Sequence, residues 1–140
     1  MPEPWITTNE TARTLQNFRD FDMDFIAHPV TGDLVIKKGA NAVSQALKNL
    51  VLLHSGELGF NPEKGSGVHY LLFENFTPAN INMLQKKITE VILFYEPRAE
   101  LVQLIVSDEA DDNHLKVDVV YRIQNSEQPI TVTLFLERVR

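Results

Sequence analysis

The chain has 140 residues, 44% of them hydrophobic and 23% charged, with a formal net charge of −6, which is one domain of ordinary globular composition, large enough to bury a core without staples. The acidic balance, with no run of Lys or Arg, argues against a general nucleic-acid binder. The absence of cysteine excludes disulfides, thiol catalysis and cysteine-ligated zinc, and fits folding in a reducing cytosol.

The opening "MPEPWITTNE" has neither a basic n-region nor an apolar h-region, so no secretory leader is expected. No apolar run approaches the ~18 residues needed to span a bilayer, so no membrane association is expected. Residues 1–19 read as an N-terminal tail, extended or partner-bound, with Trp5 as its candidate anchor. Residues 20–140 read as a single domain.

In "DFDMDFIAHP" Phe21, Met23, Phe25 and Ala27 alternate with Asp20, Asp22 and Asp24, the period of a half-buried strand. "VTGD" supplies turn chemistry through Gly32, and "LVIKK" returns as the second strand of a hairpin. Over "NAVSQALKNLVLL" the period changes. Val43, Ala46, Leu47, Leu50 and Val51 form one helical stripe, Gln45, Lys48 and Asn49 the opposite face, with Asn41 as N-cap and Gly56 as stop. A glycine-rich linker follows, pinned to the core by Leu71, Leu72 and Phe73; long loops of this kind are often functional. "TPANINMLQKKITEVILFYE" predicts the second helix. Thr77 caps it, Pro78 takes its first position, and Ile81, Leu84, Ile88, Val91, Ile92 and Tyr95 form its apolar stripe. Pro97 biases Glu96 away from the helical region, which ends the helix near Tyr95. Three strands complete the chain: Val102, Leu104 and Val106; then Leu115, Val117, Val119, Tyr121 and Ile123; then Ile130, Val132, Leu134 and Leu136. The reading is α+β: an N-terminal β-hairpin, two helices, and a three-stranded antiparallel meander with the helices covering one face.

Most candidate chemistry fails on spacing. His28, His54, His69 and His114 lack metal-site spacing, so no metal is expected. The acidic stretch of Asp108, Glu109, Asp111 and Asp112 lacks the pattern of an EF-hand loop and reads as a solvated turn. "GSG" at 65–67 does not follow a strand, so no nucleotide cradle and no cofactor are expected. Carboxylate catalysis needs two converging acids; Glu57, Glu74 and Glu96 all sit near helix ends beside apolar residues. Glu96-Pro97-Arg98 carries two readings. One is a helix stop with a surface ion pair worth ~0–1 kcal/mol. The other is a docking point, in which proline fixes the geometry and the planar fork of Arg98 meets a neighbour's carboxylates or carbonyls.

The blocks "GELGFNPEKGSGVHYLLFENFTP" and "ILFYEPR" at this spacing resemble the small baseplate wedge, or sheath-initiator, proteins of contractile-tailed phages, some of them named tail lysozymes. The pieces come in family order: the first helix, Gly56-Glu57, Asn61-Pro62 with Gly65, Leu72-Phe73-Glu74-Asn75, Thr77-Pro78, then Glu96-Pro97-Arg98. The chain is also similar to the equivalent component of bacterial contractile injection and type VI secretion systems. The resemblance implies assembly rather than turnover, with no catalytic residue. It implies that Glu96, Pro97 and Arg98 dock on a helical core bundle of larger wedge proteins. It implies that the sheet, through Ile130, Val132 and Leu134, exchanges strands with the first ring of sheath subunits, with tube or hub proteins as further neighbours. The expected location is the virion tail baseplate, assembled in the host cytoplasm. The alternative it carries is a peptidoglycan-degrading tail lysozyme using Glu57 or Glu74 as acid.

Overall fold

The computed structural model describes residues 18–75, 77–109, 114–124 and 126–137. Trp5 and most of the N-terminal tail, Phe76, and residues 110–113 of the acidic turn lie outside this set. The hairpin pairs β1 (Arg19–Phe21) with β2 (Ile36–Lys38), Phe21 opposite Ile36. Helices α1 (Ala40–Leu52), α2 (Val68–Leu72) and α3 (Pro78–Tyr95) follow. The chain closes with an antiparallel sheet in the order β3 (Ala99–Glu109), β4 (His114–Ile123), β5 (Ile130–Glu137). The α+β architecture is the expected one. Phe18 and Arg19 belong to the fold: Phe18 packs against the core, and its carbonyl accepts from the Gly39 amide at 2.8 Å.

The expected continuous strand from Asp20 to Ala27 stops after Phe21. The Asp22 carboxylate accepts from the Asp24 amide at 3.2 Å, the Phe25 amide donates to the Asp22 carbonyl at 3.1 Å, and Phe25 takes φ 51°. An aspartate in the alternating pattern thus offers the backbone a turn in place of the ladder. Pairing resumes at a single bridge, Ala27 to Leu34. Phe21, Met23 and Phe25 are all more than half exposed, so the alternation marks no buried face. Lys37 reaches Asp22 at 2.9 Å, and its hydrogen bond holds that carboxyl below its ordinary range.

Helix α1 buries Val43, Leu47, Leu50 and Val51 as the stripe predicts. Gly39 caps it at φ 58°, and Asn41 sits inside the first turn; the helix ends at Leu52, before Gly56. Gln45, assigned to the polar face, is buried instead. Its amide donates to the Phe21 carbonyl at 2.5 Å and accepts from the Met23 amide at 3.4 Å, tying the hairpin to the helix. The linker contains the extra turn α2, where Leu71 and Leu72 are buried but Phe73 is 64% exposed. Ser66 fixes its start, donating to the Val51 carbonyl at 2.5 Å and accepting from the Val68 amide at 3.2 Å. Helix α3 has the expected ends: Thr77 Oγ1 accepts from the Asn80 amide at 3.3 Å, Pro78 opens the first turn, and Glu96 leaves the helix at φ −125°, ψ 72°.

The sheet turns Leu115, Val117, Val119, Tyr121 and Ile123 of β4 and Val132, Leu134 and Leu136 of β5 toward Leu84, Ile88 and Ile92 of α3 and the stripe of α1. β3 departs from simple alternation. A bulge between Leu101 and Gln103 inserts Val102, so the core-facing residues are Ala99 and Leu101 before it and Leu104 and Val106 after it. Val102, expected inward, is half exposed because two residues of the bulged strand oppose one on its partner. Tyr121 fills the centre, its hydroxyl 2.7 Å from Ser44 Oγ and 3.3 Å from the Ala40 carbonyl. Each such fully buried large side chain is worth about 1.5–3 kcal/mol.

Candidate functional site

The corner between α3 and β3 is built by the residues that end the helix. The Glu96 amide makes the last helical bond, to the Ile92 carbonyl at 2.9 Å, and the Ala99 amide returns to the Glu96 carbonyl at 3.1 Å. The Gln124 amide donates to the Arg98 carbonyl at 3.2 Å, which ties the corner to the end of β4.

The Glu96 residue is only 6% exposed. Its carboxylate accepts two bonds from Arg98, Nε at 2.5 Å and Nη2 at 2.7 Å. This bidentate geometry is the strong form of a charge-assisted pair. The pairing raises the Arg98 pKa further above its already basic range, with Asp20 adding to the effect. Burial pushes the Tyr121 hydroxyl up, against the bond from Ser44, and the Glu96 charge pushes it the same way. The guanidinium also lies over the Phe18 ring, 5.6 Å from its centroid, within cation–π range.

Two of the donors expected to meet a neighbour are therefore committed to Glu96. What the corner shows to solvent is the exposed Pro97 ring and the 32% of the Arg98 side chain that stays accessible. Beside them lies a groove of about 470 Å³. Ala46, Leu50, Leu53, Leu58 and Tyr95 supply its apolar lining, and Asp20, Asn49 and Lys64 its polar rim. Lys64 Nζ stands 5.9 Å from the Tyr95 ring centroid. Nothing in residue type or spacing marks Phe18, Leu58 or Lys64. They lie in loops or beside a short strand, where periodicity carries no signal.

The other candidate residues fall elsewhere. Val132 and Leu134 are each 5% exposed and face the core, and Ile130 is half-buried against it. Among the described residues β5 is an edge of the three-stranded sheet, so its backbone, not these side chains, is what a further strand would meet. Glu57 and Glu74 are both exposed, and neither lines the groove. Glu57 Oε2 accepts from the His54 amide at 3.0 Å. His54 stacks on His69, ring centroids 3.7 Å apart. Among the described residues no group of three or more His, Asp or Glu is placed to hold a metal ion, and no helix is long and apolar enough to cross a membrane.

Comparison with known proteins agrees with this architecture. A chain of the anti-feeding prophage baseplate, from a six-fold symmetrised cryo-EM structure, is 28% identical with a TM-score of 0.68; the match covers 79% of this chain and 88% of that one. A Geobacter sulfurreducens protein provisionally assigned as a tail lysozyme has a TM-score of 0.65 over 70% of this chain and 89% of its own; at 20% identity this likeness shows the fold alone. The baseplate wedge protein gp25 of Enterobacteria phage T4 is 27% identical over 85 residues, 61% of this chain, and the match spans 64% of that relative's length. The family model for baseplate wedge protein gp25 matches residues 37–128. That is more than half of the chain, including both long helices and the Glu96-Pro97-Arg98 corner, and the chain belongs to the baseplate wedge protein gp25 family.

Proposed function

We propose that this protein is a structural component of a contractile-tail baseplate, located in the virion tail and assembled in the host cytoplasm, and that it docks on a helical bundle of larger wedge proteins through the Glu96-Pro97-Arg98 corner. The observation that carries the reading is the internal Glu96–Arg98 pair. A buried carboxylate held by two charge-assisted bonds fixes the turn, so Pro97 and the groove beside it are presented in one geometry before any partner arrives. Such preorganisation lowers the ordering cost of association. Family membership supports the same reading, as does the baseplate setting of the anti-feeding prophage chain.

The second half of the proposal is initiation of the tail sheath. The unpaired side of β5 is the template, and an extended arm of a sheath subunit of the first ring is the added strand. Val132 and Leu134 act from the inside, holding β5 in register, and Ile130 anchors its start.

The test is co-purification from infected-cell lysate using tagged wild type and Pro97→Glu, each checked for folding by circular dichroism. Wild type should recover large wedge and sheath proteins, and the folded variant should lose the wedge set. Equal recovery by both would remove docking from this corner.

A further inference from the structure

Two of the four histidines meet although the sequence keeps them apart. His54 follows the end of α1 and His69 lies in α2, and their rings stack with centroids 3.7 Å apart and planes 7° from parallel. Between them the linker makes a closed loop whose ends lie close together, the form of a compact surface loop. The neck is tight: a Cβ on Gly65 would lie 2.9 Å from the His54 carbonyl oxygen. Further out, the Gly56 amide donates to the Pro62 carbonyl at 2.7 Å. The loop buries little, since Leu58 is 39% exposed and Phe60 fully so. A segment with so few buried contacts opens at low free energy, and a single contact then weighs heavily. The imidazole stack is a side-chain contact that spans the neck.

Histidine changes charge between about pH 5 and 8, and the surroundings of the two rings treat a first and a second proton differently. His69 Nε2 stands 3.1 Å from the Leu52 carbonyl, at the partly negative C-terminal end of α1, and a charged ring donates to it. That end of the helix favours a first charge on His69. A second charge, on His54, faces the first across the stack. Glu57 Oε2 lies 3.5 Å from His54 Nδ1 and, among the described residues, is the only carboxylate within 4 Å of either ring. It sits three residues along the same loop, so its attraction survives when the loop opens and does not hold the neck shut. α2 carries no charged residue besides His69. Lys48 lies one turn before the end of α1, and Glu63 and Lys64 lie on the loop. α3 sets Lys87 and Glu90 around an adjoining depression with Ser55 and Gly65. Together these are three cations and two carboxylates, so they do not supply the negative charge that a doubly protonated stack would need.

We propose that the His54–His69 stack is a pH-sensitive latch on the linker, closing the neck of the loop while at most one ring carries a proton and releasing it when both do. Release frees the segment that brings Leu58 and Lys64 to the groove. The latch belongs to the free chain and does not depend on docking at the corner.

The experiment is amide exchange measured residue by residue by NMR on the full-length chain, at about pH 7 and about pH 5, the range in which histidine charges. Rates are converted to protection factors, which removes the intrinsic pH dependence of exchange. Two unit charges ~4 Å apart in water repel by roughly a factor of five in an equilibrium. The bonded amides of Gly56, Asn61 and Lys64 should therefore lose about fivefold in protection on acidification, relative to β4. His54→Phe keeps a stacking ring and removes its charge, so the same amides should hold their protection at both pH values. Wild-type protection that does not fall relative to β4, or an equal fall in His54→Phe, overturns the proposal. Should His54→Phe fail to fold by circular dichroism, His69→Gln replaces it, because glutamine still offers the Leu52 carbonyl a donor without the charge; the same two outcomes apply.

Discussion

Replacing Arg98 with methionine takes away both donors of a carboxylate that is 6% exposed and leaves the rest of the corner in place. Breaking a fully buried pair by removing one partner costs roughly 3–5 kcal/mol, because the other charge is left uncompensated. Here the Arg98 side chain is 32% exposed, so water can reach the vacated space and restore part of the solvation. The discounted expectation is about 1.5–3 kcal/mol. For a chain of this size, ~2 kcal/mol lowers Tm by about 6–10 °C. The double variant Glu96→Met/Arg98→Met removes the charge along with its partner, and should be more stable than Arg98→Met alone by ~1–2 kcal/mol. Urea unfolding of the wild type, both single variants and the double variant closes the cycle. A change within about 0.5 kcal/mol for Arg98→Met, the range of an ordinary surface substitution, would refute the reasoning, since the fork would then be free for a partner after all.

Tyr121→Phe should cost ~1 kcal/mol at neutral pH through its lost hydrogen bonds. The folded state raises the Tyr121 pKa, so it holds that proton more tightly than the unfolded chain does, and the contribution is full below about 10 and lost as pH rises through the folded value. The alkaline fall of Tm with pH should accordingly be shallower in Tyr121→Phe; matching slopes would contradict this assignment. Gln45→Ala should cost about 1–2 kcal/mol and speed amide exchange in the hairpin relative to α3, while unchanged hairpin exchange would mean that Gln45 does not tie it down. Gly65→Ala should destabilise by more than ~1 kcal/mol. Gly65 has φ +144°, and an added Cβ would lie 2.8 Å from the Leu53 carbonyl oxygen, so a neutral result in urea unfolding would contradict the described linker. The purified chain should not clear peptidoglycan in a turbidity assay. Clearing that disappears in Glu57→Gln or Glu74→Gln would reverse the assignment.

The legible parts of the fold are those where one physical rule acts alone. Thr77 and Pro78 meet no competing demand, so α3 begins where capping chemistry places it. β4 alternates buried and half-buried residues throughout, as its residue types alternate. Rules in competition hide the rest. The aspartates between Phe21 and Phe25 fit a strand by period and a turn by chemistry, and the turn wins. Val102 is apolar like its neighbours, so nothing in its type marks it as the inserted residue of a bulge. Gln45 lies on a polar face by period, yet the hairpin backbone passes over it and needs its amide.

The corner was partly legible. The helix end at Glu96 and the proximity of its carboxylate to Arg98 follow from residue order. Burial of Glu96, which turns a surface pair into an internal clamp, is not written in the local residue order, and Phe18, over whose ring the Arg98 guanidinium lies, arrives from a distant part of the chain. The groove likewise needs Leu58 and Lys64 from the linker, where no period exists. The role of β5 is legible in its alternation, but the alternation describes its inner face, and an added strand would use its backbone edge.

The most direct test of docking at the corner is photo-crosslinking from position 97 in assembled tails. A chain carrying a photoreactive residue in place of Pro97, and a control carrying it in place of Val30, would each be expressed during infection and irradiated after tail purification. Docking at the corner should give a covalent adduct with a large wedge protein from position 97 and none from position 30. Tails that incorporate the chain yet yield no wedge adduct from position 97 would contradict it.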